Sequence, residues 1–170
     1  MGNVLQGDDG FGVRVLEDLA RCAPAPGVRL VDVGIGGIHL VQALMDGWDA
    51  LVLVDAVDRG GAPGTVWVLE PVVPDWATLP DAERAALLAD THHAVPERVL
   101  TLARALGILP AHVYVVGCQP RRTGLGLGLS DAVAPAVEKG STCVRRLLDE
   151  LASAGGGDLA SGERAADHCP

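Results

Sequence analysis

Residues 50–57 read ALVLVDAV, an apolar run broken by one carboxylate, Asp55. A strand with one wet face alternates apolar and polar residues, whereas a strand buried on both faces is apolar throughout. The run therefore predicts an inner strand of a sheet covered by helices. Outward from it the pattern alternates. Before it, VRLVDVG (28–34) is short, rich in valine and closed by glycine, and reads as a strand. GVRVLEDLARCA (12–23) and IHLVQALMDG (38–47) repeat apolar residues at helical spacing, with Gly47 as an end signal. After it, GTVWVLEP (64–71) and AHVYVVG (111–117) read as strands. PERVLTLARALG (96–107) has proline in the first turn and glycine at its end, as a helix does.

The final stretch 130–153, starting at a Ser130 cap, is expected to be a helix bent near Pro135 or Gly140. Strands alternating with helices imply an α/β class: a three-layer sandwich with a twisted, mostly parallel sheet and helices on both faces. Residues 64–71 follow their predecessor by a short link, which predicts a hairpin and one antiparallel strand. A single domain over residues 1–153 is expected. The small, polar, glycine-rich tail 154–170 is expected to be disordered.

The chain has 170 residues, enough for one real core, and only 3% of them are aromatic. Leucine, valine and alanine must therefore build that core. The formal net charge of −9 argues against nucleic acid as a partner, because phosphate binding needs a basic face. Arg121 and Arg122 form a local basic spot that could meet a carboxylate. Cys22, Cys118, Cys143 and Cys169 have no CxxC spacing. With no secretory leader read, reduced thiols and a cytoplasmic location are expected. No apolar run approaches the ~20 residues that span a bilayer, so no membrane partner is expected.

Ligands of such sheets collect where strands end. Asp8 and Asp9 lie between glycines just before the first helix. An acid there gains a few tenths to ~1 kcal/mol from the helix dipole, which suits Asp8 as a cap as well as a direct participant. Asp9 is the better ligand candidate. Asp55 closes its strand, where an unpaired buried carboxylate would be costly, so it should be paired or hold a cation. Asp58, in the following turn, is expected to be solvated. His92 and His93 precede a helix and can supply an imidazole. Two carboxylates and one imidazole suit a borderline divalent metal such as nickel, zinc or iron. GIGGIH (34–39) and GLGLGL (124–129) are poor dinucleotide fingerprints. Their glycines instead permit unusual backbone angles or the close approach of another backbone. No GxSxG elbow is present. Cys118 reads as a small strand-end residue rather than half of a Cys–His dyad.

Four blocks together, GNVLQGDDGFGVRVLEDL, LVLVDAV…GAPGTV, THHAVPERVLTLARALG and VVGCQP…GLGLGLSDAVAPAV, resemble the [NiFe]-hydrogenase maturation endopeptidases. The resemblance runs from residue 2 to about 150, in order and at family-like spacing. It implies that Asp9, six residues after Asn3, is a metal ligand, with Asp55 and His92, rather than His93, completing the set. It also implies an enzyme that recognises a large-subunit precursor already loaded with nickel and cuts off its C-terminal peptide. The nickel would be carried by that precursor rather than held permanently, and Asp9 or Asp55 would handle protons in catalysis. The alternative reading is a non-catalytic α/β binding module or assembly chaperone.

Two departures from the family pattern stand out. The family begins with an apolar strand before the GN pair, whereas here Met1 stands directly before Gly2. The first strand is therefore expected to be missing, and a start upstream is the preferred explanation. GCQPRR (117–122) also stands where relatives often carry an acid, and it is a candidate for choosing which hydrogenase is served.

Overall fold

The structure is a computed structural model that describes residues 1–89, 96–154 and 164–165. Its helices are α1 (Phe11–Leu19), α2 (Gly37–Leu44), α3 (Asp81–Ala89), α4 (Pro96–Ala105) and α5 (Ala136–Ala154). Its strands are β1 (Ala50–Ala56), β2 (Val66–Leu69), β3 (His112–Cys118) and β4 (Arg164–Ala165). A 3-10 turn over Gly7–Gly10 leads into α1. The chain divides into two compact units. One holds Met1–Asp32, Val52–Glu70 and the described residues from Tyr114 on; the other holds the described residues of Val33–Leu51 and Pro71–Val113.

The α/β architecture read from the sequence is present, as a small mixed sheet with packed helices. The strand order is β1-β3-β2-β4. The N–H of His112 donates to Asp49 O at the start of the β1–β3 pair, and that of Val57 donates to Cys118 O at its end. Both strands therefore run the same way. β2 is antiparallel to β3, with Val66 opposite Cys118 and Leu69 opposite Val115, and β4 is antiparallel to β2.

The antiparallel strand expected near 64–71 is thus found, but not as a hairpin with β1: β3 lies between them. The link explains why. Arg59 N–H and Gly61 N–H donate to Gln119 Oε1, and Gly64 N–H donates to Gln119 O. The chain leaving β1 is thereby carried across the end of β3 and delivered to its far side.

Residues 28–34, expected to be a strand, form no ladder among the described residues. Valines alone do not make a strand; a partner with free backbone groups does. Of the tail, α5 runs on to Ala154, and Arg164–Ala165 pair with β2. The rest of the tail, including Cys169, lies outside the described residues.

In the first unit, α1 and α5 pack together over β2 and β3. Phe11, Val15, Val116, Val133 and Cys143 are buried there with Val66, Tyr114 and Leu147. Full burial of one such aliphatic or aromatic side chain contributes about 1.5–3 kcal/mol, so aliphatic number compensates for the near absence of aromatics. Gly12 explains the second glycine of the DDGFG stretch. A Cβ there would lie 2.3 Å from both Met1 O and Val54 O. Only glycine lets α1 pass so close to the backbone of β1. The last helix begins after Pro135 rather than bending at it, because proline is tolerated where no intrahelical N–H is needed.

In the second unit, α2 packs on α4 through Leu40, Val41 and Leu44 on one side and Val99, Leu100 and Ala103 on the other. Gly47 and Gly107 follow these helices with φ of +77° and +69°, as glycine stop signals do. α3 was not evident from periodicity; its signals are Pro80 before it and the acids Asp81 and Glu83 in its first turn. Among the described residues no helix is long and apolar enough to cross a membrane.

Candidate functional site

The GN pair at the head of the chain organises the two leading candidates. Asn3 Oδ1 accepts the N–H of Leu5 at 3.0 Å, forming a local side-chain turn. Asn3 N–H in turn donates to Asp9 Oδ2 at 2.7 Å, which fixes that carboxylate. Gly2 has φ +119°, and a Cβ there would stand 1.9 Å from Asp9 O and 3.5 Å from Asp55 Oδ1. Gly2 thus lies between the backbone carbonyl of Asp9 and the carboxylate of Asp55. A side chain at residue 2 would fill that space.

Asp55 sits near the end of β1 at 8% exposure and accepts the N–H of Ala56 at 2.9 Å. Burial pushes its pKa up to about 6; the positive Met1 terminus opposes the rise and the charge of Asp9 adds to it. A carboxyl with that pKa is ionised at neutral pH yet basic enough to accept a proton. The Met1 ammonium donates to Val54 O at 2.6 Å. Its own pKa is lowered by burial, against the upward pull of Asp55, Asp32 and Asp9. Asp32 was missed as a site candidate from sequence; its signal was the acid inside the apolar LVDV stretch.

Asp8 is not the helix cap it could have been. α1 has no side-chain cap; its N-cap residue is Gly10. The Asp8 carboxylate is fully buried and points at a distant loop. It accepts the N–H groups of Arg121, Arg122 and Ser130 at 2.8, 3.0 and 2.6 Å, and the Ser130 hydroxyl at 2.9 Å. Burial opposes its ionisation, but these four donors outweigh it and hold the pKa below the usual carboxylate value. Ser130 accordingly donates its hydroxyl to Asp8, while its carbonyl accepts from Val133 and Ala134. The backbone reinforces the clamp: Gly7 N–H donates to Gly126 O, Asp8 N–H to Arg122 O, and Gly126 N–H to Leu5 O.

Gln119 is the other residue the sequence did not reveal. It is buried, its Oε1 accepts from Arg59 and Gly61, and its Nε2 donates to Asp58 Oδ1 at 2.8 Å and to Pro120 O. Asp58 is exposed, as expected, but its carboxylate helps hold this turn rather than standing free in solvent. The unusual GCQPRR stretch thus supplies a clasp for the β1–β2 link.

Cys118 is fully buried, and burial pushes its thiol up to about 12 with Asp8 adding to the effect. A thiol raised that far is a poor source of the thiolate that nucleophilic attack needs. In the second unit, Gly34 takes φ +53° and a Cβ on Gly36 would touch the His39 ring at 3.0 Å, so this glycine loop is shaped by local turns into α2. His92 and His93 lie outside the described residues. Among the described residues, no group of three or more His, Cys, Asp or Glu side chains could hold a metal ion. The structure therefore brings Asp9 and Asp55 together and leaves the third expected ligand undescribed.

The family model for HycI, hydrogenase maturation protease, matches residues 13–146. The hydrogenase expression/formation protein HoxM of Cupriavidus necator is 37% identical over 153 residues, covering 86% of this chain and 72% of that protein. The hydrogenase maturating endopeptidase HybD from E. coli superposes with a TM-score of 0.67 at 27% identity, covering 88% of this chain and 89% of that one. The hydrogenase 2 maturation peptidase from Thaumarchaeota archaeon SCGC_AB-539-E09 superposes with a TM-score of 0.62 at 30% identity, covering 87% and 94%. The family match spans most of the chain and takes in β1 with Asp55, and the solved relatives share its fold: this chain belongs to the hydrogenase maturation protease family.

Proposed function

We propose that this protein is an endopeptidase that removes the C-terminal peptide from a nickel-loaded [NiFe]-hydrogenase large-subunit precursor. The observation that carries this reading is the approach of Asp55 to Asp9 beside Gly2, where Asp55 Oδ1 and the Asp9 carbonyl both face residue 2 and the charge of Asp9 raises the Asp55 carboxyl, in a chain of a peptide-hydrolase family. Two carboxylates of different environment suit hydrolysis. Asp55, buried and with a pKa near 6, takes the proton from the attacking water and returns it to the leaving amide nitrogen. Asp9, held by Asn3, faces the client's metal. His92 completes an O,O,N set directed at nickel. That nickel is part of the substrate and acts as the licence for cleavage; a client without it presents nothing for these side chains to bind. The buried, protonated Cys118 supports direct hydrolysis over a covalent thiol route.

The test is incubation with nickel-loaded and nickel-free precursor, followed by mass spectrometry of the client C-terminus. Loaded precursor is trimmed and nickel-free precursor is not, and Asp9→Ala abolishes trimming. Equal trimming of both forms, or normal trimming by the variant, would overturn the reading. Binding without trimming would favour an assembly chaperone.

A further inference from the structure

We infer that the loop Arg121–Leu127, together with Leu5, docks an extended client segment that combines carboxylates with apolar side chains. Its carboxylates meet Arg121 and Arg122, and its apolar groups cover Leu5, Leu125 and Leu127. This rests on the maturation reading for the identity of the client.

The first observation is exposure. Leu125 is 95% exposed, Leu127 80% and Leu5 56%, in a chain that buries aliphatic side chains to build its core. They also lie together: Gln6 and Gly126 form a parallel bridge, and Gly126 N–H donates to Leu5 O at 3.0 Å, which sets Leu5 beside the stretch that carries Leu125 and Leu127. The alternating glycines of GLGLGL leave nothing beside them to cover the leucines.

The second observation is charge. Arg121 and Arg122 are both exposed at the start of the same loop, in a protein of net charge −9. Among the described residues neither guanidinium has an ion-pair partner. Two free cations in an acidic protein select a local carboxylate, because their field is felt within about a Debye length of 8–10 Å. Nucleic acid is disfavoured by the overall charge. A second copy is disfavoured too, since two chains of net charge −9 repel one another.

The third observation is rigidity. Asp8 holds the backbone of Arg121, Arg122 and Ser130, and Gly7 and Gly126 tie the loop to the chain leading into the Asp9 turn. A surface already held in place loses little conformational freedom on binding, which makes even a short segment worth capturing. The surface adjoins Asp9, whose N–H bonds Gln6 O, so a segment lying there leads into the reaction site.

The experiment measures affinity and trimming separately. Full-length protein binds immobilised nickel-loaded precursor by biolayer interferometry, and trimming is followed in parallel by mass spectrometry. Arg121→Glu/Arg122→Glu and, separately, Leu125→Ser/Leu127→Ser each weaken binding at least about tenfold, or 1.4 kcal/mol. Both retain the wild-type circular dichroism and melting temperature, while Leu106→Ser, an exposed change elsewhere, leaves affinity unchanged. A client whose acidic residues are changed to lysine recovers binding to the charge-reversed variant. Unchanged affinity in both double variants overturns the inference, as does absence of any binding by the wild type. Salt- and variant-sensitive self-association through this surface would also overturn it. If the wild type binds but does not trim, the protease reading fails while the docking surface is still decided by the variants.

Discussion

Replacing Asp8 by Asn probes the hydrogen-bond knot on which the site rests. The amide keeps one oxygen, which can still accept Ser130 N–H, now at 2.6 Å. Its NH2 must then face Arg121 N–H and Arg122 N–H, donors at 2.8 and 3.0 Å. Two backbone donors lose their acceptor, and each costs about 1–3 kcal/mol when buried. The low end applies, because both arginines are exposed residues and water can reach part of their backbone. The expected loss is thus about 2–3 kcal/mol from a total stability of order 5–15. For a chain of this length, about 2–4 °C per kcal/mol gives a fall in Tm of roughly 4–12 °C at pH 7.

The pH dependence supplies the sign. Asp8 has a folded-state pKa below its unfolded value, so its stabilisation is full above the unfolded pKa of about 3.9 and is lost as pH falls through the folded one. The gap between wild type and Asp8→Asn should therefore be constant from pH 7 to about 5 and narrow below about 4. Thermal unfolding by circular dichroism across that range measures it. A Tm within 1 °C of wild type at pH 7, or a gap that widens in acid, would refute the reasoning.

Asp55 should behave in the opposite sense. Its folded pKa is raised to about 6, so stability falls as pH rises from the unfolded value through 6 and stays low above it. Asp55→Asn removes that penalty: at pH 7 it should raise Tm by several degrees, an effect of order 2 kcal/mol, while abolishing precursor trimming. Wild-type trimming should lose rate in acid with an apparent pKa near 6, and a flat profile between pH 5 and 7 would sink the assignment of Asp55 as base. Cysteine reactivity offers an independent check. With its thiol at about 12, Cys118 is ionised to only about one part in ten thousand at pH 8. Iodoacetamide on the native protein should label the exposed Cys22 and spare Cys118; rapid labelling of Cys118 would show that it is neither buried nor inert.

Much of the fold was written locally. The apolar run of 50–57 became β1, the helical spacing of 12–23, 38–47 and 96–107 became α1, α2 and α4, and Gly47 and Gly107 ended their helices. Each of these signals depends on a few consecutive residues whose side chains must face one core, which is why periodicity suffices. The residue types of the candidate site were legible for the same reason: carboxylates placed at the ends of apolar segments had to be used or paired. What the sequence could not decide was partnership. Asp8 and its four donors are separated by 113 to 122 positions, and Gln119 grips a turn about 60 positions away. Hydrogen bonds of this kind have no period and leave no mark on the neighbouring residues. The strand-like valines of 28–34 failed to join a ladder, and β3 entered between β1 and β2, because strand pairing is settled by which backbone edges the folded chain presents to one another. Sequence chose the elements and the chemistry available; only the tertiary arrangement made Asp9 and Asp55 neighbours and turned Asp8 into the clamp of the loop beside them.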